Sequence, residues 1–204
     1  GLDSDDIQGS LLIEGLSSIS PKMLVRVKGG NLRSSGARVI RAFESNIHLD
    51  DVTLQPSGQS GGTLLELGTA SPNTAGNNTV RGKIKYDPRD AAGSWTLAYV
   101  NGTNEISVHT SSADADAAPG NTDYTITDLT PDEVVFSTTL TADRAVNTTV
   151  QGRKKVLIRR TAGGAFNVNV AHAGGTLALA QNRAVWLDIR AGVVMLASPT
   201  MTIG

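Results

Sequence analysis

The sequence predicts an all-β fold on three observations. Apolar and polar residues alternate at a period of two through most of the chain. A helical period of 3.6 appears almost nowhere. The composition agrees: Gly is 22 of 204 residues, and counting along the chain gives 21 Thr and 12 Asn. Such a chain is rich in strand and turn formers and short of the Glu, Lys and Leu that fill helices.

The alternating segments follow one another in order. Residues 23–27, 38–43, 47–54, 63–67, 80–86, 95–100, 106–108 and 124–126 read as strands, each bounded by Gly, Asn, Ser, Asp or Pro. The pattern Ile47, Leu49, Val52, Leu54 slips by one residue at Asp50-Asp51, where a β-bulge would restore the inward face. Thr130-Pro131-Asp132-Glu133 matches a capping box with Pro at the first helical position. It runs straight into β-branched, alternating residues 134–139, which leaves room for one turn of helix at most.

The first 128 residues carry a loose internal repeat. A small-residue step (Ser35-Gly36, Gly61-Gly62, Ala92-Gly93) precedes one strand, and an Asn (Asn46, Asn78, Asn104) then opens a second. Repeats of this length point to stacked units that cannot bury their apolar faces alone. Their uneven spacing fits a parallel β-helix, in which each rung keeps its strands and one loop varies. An antiparallel sandwich with long hairpins is the alternative.

The texture changes near residue 129. Residues 1–128 carry 10 basic and 15 acidic side chains, and residues 129–204 carry 8 and 4. Strands there are closely spaced. Residues 156–160 and 166–170 are joined through Thr161-Ala162-Gly163-Gly164, and residues 184–190 and 193–198 by Ala191-Gly192. The division expected is therefore a β-helix region over 1–128 and a small antiparallel sandwich or barrel over 129–204. So small a unit needs partners to bury its apolar faces.

Composition also excludes chemistries. A net charge of -1 gives no electrostatic basis for a dedicated nucleic-acid binder. With Cys 0 there is no disulfide framework, thiolate metal site or Cys nucleophile. No apolar run approaches the roughly 20 residues of a membrane span, and no signal peptide is visible. The chain starts at Gly1 rather than Met, which reads as a processed or recombinant piece of something longer.

Several motifs fail on context. Gly58-Gln59-Ser60-Gly61-Gly62 matches a nucleophile elbow, but a strand follows it where the motif needs a helix. Gly76 to Gly82-Lys83 resembles a phosphate loop with the wrong spacing. His48, His109 and His172 lie too far apart for a metal-ligand motif and read as surface or interface residues. Glycoside hydrolysis needs two carboxyl groups roughly 5–9.5 Å apart. Glu44, Asp50, Asp51, Glu66, Asp87, Asp90 and Glu105 are the candidates, with no paired motif among them. Arg153, Lys154, Lys155, Arg159 and Arg160 flank an apolar strand core, as contacts for acidic sugar or phosphate, or as charges that protect a sheet edge or pair with a neighbouring subunit.

The N-terminal repeat resembles the right-handed β-helix of bacteriophage tailspikes. The C-terminal stretch is similar to the all-β end modules of phage tail fibres and spikes. The residues that carry the second likeness are Leu140-Thr141-Ala142-Asp143-Arg144, 156–160, Ala165-Phe166-Asn167-Val168, Trp186-Leu187-Asp188 and Met195-Leu196-Ala197-Ser198. The resemblance implies a homotrimer within a virion tail, other tail proteins as neighbours, and a bacterial surface glycan as ligand. No cofactor, nucleic-acid partner or membrane insertion is expected. A polysaccharide depolymerase and a purely structural trimeric stalk are the other readings. The paired carboxylates of polygalacturonase-like β-helix enzymes are absent, so no catalytic residue is assigned. The binding candidate is the loop from residue 86 to 95. There Tyr86 and Trp95 would be ring platforms, and Asp87, Arg89 and Asp90 would bond to hydroxyl or acidic groups.

Overall fold

The computed structural model describes residues 11–14, 23–57, 61–68, 76–112 and 116–203, and every regular element in it is a β-strand. Among the described residues there is no helix. Thr130 Oγ1 accepts the Thr127 amide at 2.9 Å, so the capping-box residue closes a turn and caps nothing. The chain falls into two compact units, Gly1–Ala113 and Asp114–Gly204.

The first unit contains β1 (Leu11–Glu14), β2 (Met23–Lys28), β3 (Asn31–Ser34), β4 (Arg38–Phe43), β5 (Ser45–Pro56), β6 (Gly61–Leu67), β7 (Thr79–Tyr86), β8 (Ser94–Val100) and β9 (Glu105–Ser112). β1, β4, β6 and β8 pair in that order, all parallel. A second parallel set runs β2, β5, β7, β9, with β3 also on β5. From β4 onward, successive strands therefore alternate between two sheets. Each return stacks like on like: Ile47 lies opposite Val80, and Val80 opposite Ile106. Leu49, Leu54, Leu65, Val80 and Val108 are fully buried. Parallel pairing follows from this repeat, since each strand must travel a whole circuit before it meets its equivalent.

The bulge expected at Asp50-Asp51 is present. The β5–β7 register shifts between Leu49 and Val52, and Asp51 takes a left-handed φ of 55°. Gly82, paired with Leu49 at the edge of the bulge, has φ 118°, and a Cβ there would overlap the Leu49 carbonyl oxygen. The residue that enters β7 and β9 is also an asparagine, as the repeat suggests. Asn78 and Asn104 stack there, but in the preceding coil the aligned residue is Ser45, one before Asn46.

The second unit contains β10 (Tyr124–Ile126), β11 (Glu133–Phe136), β12 (Arg144–Thr148), β13 (Arg153–Arg160), β14 (Val168–His172), β15 (Gly175–Leu179), β16 (Arg183–Arg190), β17 (Val193–Leu196) and β18 (Met201–Thr202). It corrects two expectations. The unit is not antiparallel throughout: β10, β12 and β14 are parallel, as are β11 and β13. Residues 161–167 carry the chain from one sheet to the other, so β13 and β14 are no hairpin. Only β14–β15 and β13–β16–β17, with β18 on β16, are antiparallel. The unit also begins before residue 129, because Ala117 bridges Val134 and β10 pairs with β12.

Ala191-Gly192 does make the expected two-residue turn, with φ 45° and 79°, the doubly positive pair that suits strand twist. Ile126, Phe136, Val156, Ile158, Val170 and Leu187 meet in this unit's core.

Candidate functional site

The loop after β7 is positioned by both of its ends. Tyr86 is the last inward residue of β7 and is 8% exposed. Trp95 enters β8 on an inward position at 9% exposure, and its indole N–H donates to the Ala92 carbonyl at 3.0 Å. Both rings therefore pack inward and offer no open face to a sugar. Alternation on each strand accounts for this, since Val80 and Ile84 share the buried face with Tyr86, and Leu97 with Trp95.

The polar residues between them form two clusters. Asp87 is buried, its amide bonded to the Leu54 carbonyl at 3.0 Å. Its carboxylate accepts a forked pair from Arg89, with Nε at 3.0 Å and Nη2 at 2.6 Å. That hydrogen bond is the main reason the Asp87 carboxyl is held below its ordinary range, against the opposing effect of burial. The Arg89 side chain remains 75% exposed.

Asp90 reaches back instead. Its Oδ2 accepts from Gln55 Nε2 at 2.8 Å and pairs with Arg33 Nη2 at 3.1 Å. Gln55 Oε1 accepts in turn from Asn31 Nδ2 at 2.6 Å. Arg33 Nε is buried with no hydrogen-bond partner among the described residues. Arg33, Gln55 and Asn31 carry no local sequence signal. Only the coil-to-coil register of β3 on β5 brings them beneath the loop. Together the loop and the edge below it present two guanidinium groups, a carboxylate and carboxamides. That set can hold hydroxyl and acidic groups by planar hydrogen bonds.

Three of the other candidate carboxylates have side-chain partners. Glu66, 2% exposed, lies between Arg38 at 2.8 Å and Arg41 at 2.6 Å. Glu105 pairs with Arg81, and Glu44 accepts from Asn77. Asp51 is exposed at the bulge. Gly58, Gln59 and Ser60 lie outside the described residues, and Gly61 already begins β6. No cluster of three metal-ligating side chains occurs among the described residues.

The basic run on β13 is not a protected edge. β13 pairs with β11 on one side and β16 on the other. Lys154 is fully buried, with its ammonium 3.1 Å from Asp132, and burial pushes its pKa down. Arg160 is also buried, donating to the Gly164 carbonyl at 2.9 Å. Arg159 pairs with Glu133 at 2.6 Å. Most of this charge is structural.

No protein-family model, curated protein or solved structure matches the chain.

Proposed function

We propose that the chain is a segment of a trimeric bacteriophage tailspike or tail fibre that attaches to a glycan on the bacterial surface. On this reading the first unit is a short right-handed β-helix and the second a trimer-forming end module, both carried on the virion beside other tail proteins. The observation that carries it is the alternation of consecutive strands between two parallel sheets, with aligned apolar rows and stacked asparagines. Such a stack holds its outer strands and connecting loops at a fixed spacing, which suits a surface built for attachment.

Trimerisation is supported by the outer face of the second unit. Trp186 (39% exposed), Met195 (37%) and Val193 (53%) are large apolar side chains on β16 and β17. Covering them with the same face of two further copies would remove that surface from water. The glycan contact we assign is Arg89, Asp90 and Arg33, with Asp87 holding Arg89 in place. Tyr86 and Trp95 support the loop from inside.

The test is binding of the protein to purified bacterial surface polysaccharides. Arg89→Ala with Asp90→Ala should lower binding at least tenfold, and Arg89→Gln alone should lower it while leaving Asp90 bonded to Gln55 and Arg33. A folded double variant that binds like the parent removes the loop from the site.

A further inference from the structure

We infer that the outer face of the sheet formed by β2, β5, β7 and β9 binds a polyanionic polysaccharide. This rests on the attachment reading and names the ligand's chemistry. It adds a second contact surface, distinct from the loop after β7.

Half of the basic residues in 1–128, five of 10, stand on this one face: Arg26, Lys28, Arg81, Lys83 and Lys85. All five are exposed. On β7 they alternate with inward Val80, Ile84 and Tyr86, so the pleat itself sorts them outward. Register then places them in rows. Arg26 lies beside His48, and His48 beside Arg81. Lys83 lies beside His109, and Lys85 sits between Thr53 and Ser111. Neighbours in a row are about 4.8 Å apart, and Arg81, Lys83 and Lys85 follow one another at about 6.6 Å.

Of the five, only Arg81 is in a direct ion pair among the described residues, with Glu105 at 3.3 Å. The face also has relief. A groove of about 280 Å³ lies along Asp51, Lys83, Lys85 and His109. Another of about 310 Å³ lies along Leu24, His48 and Arg81. Like charges gathered while acidic residues dominate the rest of the segment form a local positive field that attracts an anion.

Two features favour a glycan over a nucleic acid. No Trp, Tyr or Phe occupies an outward position on these strands, so no ring is offered for a base to stack on. Asp50, Asp51 and Glu105 intersperse the cations, with Thr53, Thr79, Ser107 and Ser111 between them. A chain with one charge per saccharide or fewer can meet a cation and then a hydroxyl-bonding group. Densely spaced phosphates would meet the carboxylates.

The experiment measures binding of the whole chain to polyglucuronate, dextran sulfate, neutral dextran and duplex DNA by biolayer interferometry, at low and physiological salt. The parent should bind polyglucuronate and not neutral dextran, with affinity falling as salt rises. Arg81→Gln, Lys83→Gln and Lys85→Gln together should weaken that binding at least tenfold, and Lys155→Gln in the second unit should leave it unchanged. If the triple variant is poorly folded, Arg26→Gln with Lys28→Gln on β2 should give a severalfold loss. Dextran sulfate bound in preference to polyglucuronate assigns the charge to sulfate; the reverse assigns it to carboxylate. Either result supports the inference. DNA bound as tightly as polyglucuronate overturns the glycan assignment, and an unchanged triple variant overturns the site. A parent that binds bacterial polysaccharide only through Arg89 and Asp90 sinks this inference alone. A parent that binds no polysaccharide at all sinks the attachment reading with it.

Discussion

Asn78 and Asn104 are locked to each other by two hydrogen bonds. Asn104 Oδ1 accepts both the side-chain amide and the backbone N–H of Asn78, each at 2.9 Å. Asn78 Oδ1 takes the buried Ser45 amide at 3.1 Å, while its Nδ2 also reaches the Ala42 carbonyl at 3.1 Å. One carboxamide thus satisfies backbone groups in the coil before it and is held by the coil after it. Asn78→Ala would strand the Ser45 N–H in the interior. We expect a loss of about 2–3 kcal/mol in urea unfolding; a loss below 0.5 kcal/mol would mean that the ladder is dispensable.

Gly82 should tolerate no side chain. Its φ of 118° is closed to other residues, and the Leu49 carbonyl fills the space a Cβ needs. Gly82→Ala should give insoluble or unfolded protein. Gly192→Ala, where φ is 79° but the space is open, should stay soluble with a modest drop in melting temperature. Equal behaviour of the two would show that β5 can move away from Gly82 at the bulge.

The Asp87–Arg89 fork has a pH signature. The Asp87 carboxyl titrates below its ordinary 3.8 in the fold, chiefly through the Arg89 hydrogen bond. A group depressed in this way stabilises the fold fully above the unfolded value, and the contribution is lost as pH falls through the folded one. Arg89→Gln should therefore lower the melting temperature at pH 7, and the gap from the parent should close at the acid end. A gap that stays constant down to that end would rule out the fork as its source.

Lys154 tests what buried charge contributes. Desolvation dominates its lowered pKa, with Asp132 and then Asp128, itself held by the Gln151 and Gly152 amides, only partly offsetting it. The Asp132 side chain is 49% exposed and can be hydrated without its partner. Lys154→Met keeps the length and removes the buried ammonium, so stability at pH 7 should be unchanged or higher by about 1–2 kcal/mol. In the parent, stability should rise with pH from the folded Lys154 value toward 10.5, because there the unfolded chain binds the proton and the fold does not. That rise should vanish in the variant. A loss above 1 kcal/mol would show the ion pair to be net stabilising.

The proposed trimer should depend on the apolar face of β16 and β17. Trp186→Asp with Met195→Asp places charge on that face without touching the buried Leu187 and Ile189. Light scattering should then read a monomer where the parent reads a trimer. A double variant that stays trimeric moves the interface elsewhere.

Much of the fold was legible because it is written in short-range chemistry. Period-two alternation locates Leu49 and Val80 in the interior, the slip at Asp50-Asp51 marks the bulge, and Ala191-Gly192 marks its hairpin. Pairing partners are not local. Val146 pairs with Tyr124 and β14 lies beside β12, and no feature of either segment distinguishes that from a meander. The loop's mixed composition marks it in the sequence, but Tyr86 and Trp95, expected as ring platforms, pack inward. An aromatic at a strand end reads alike whether its ring packs in or projects out, and the inward phase of Val80 and Ile84 was the clue. Arg33 and Gln55 were beyond reach, since their meeting with Asp90 is made by stacking.

The pleat of β7 keeps two independent sets of instructions on one strand. Val80, Ile84 and Tyr86 determine whether the coil closes, and Arg81, Lys83 and Lys85 determine what it presents. Because their side chains point to opposite faces, selection can rewrite the second set with little penalty from the first. Charges, hydroxyls and amides along the outer rows can therefore be exchanged one at a time. The folding problem need not be solved again at each step, so the outer surface can diverge quickly on a frame that stays fixed.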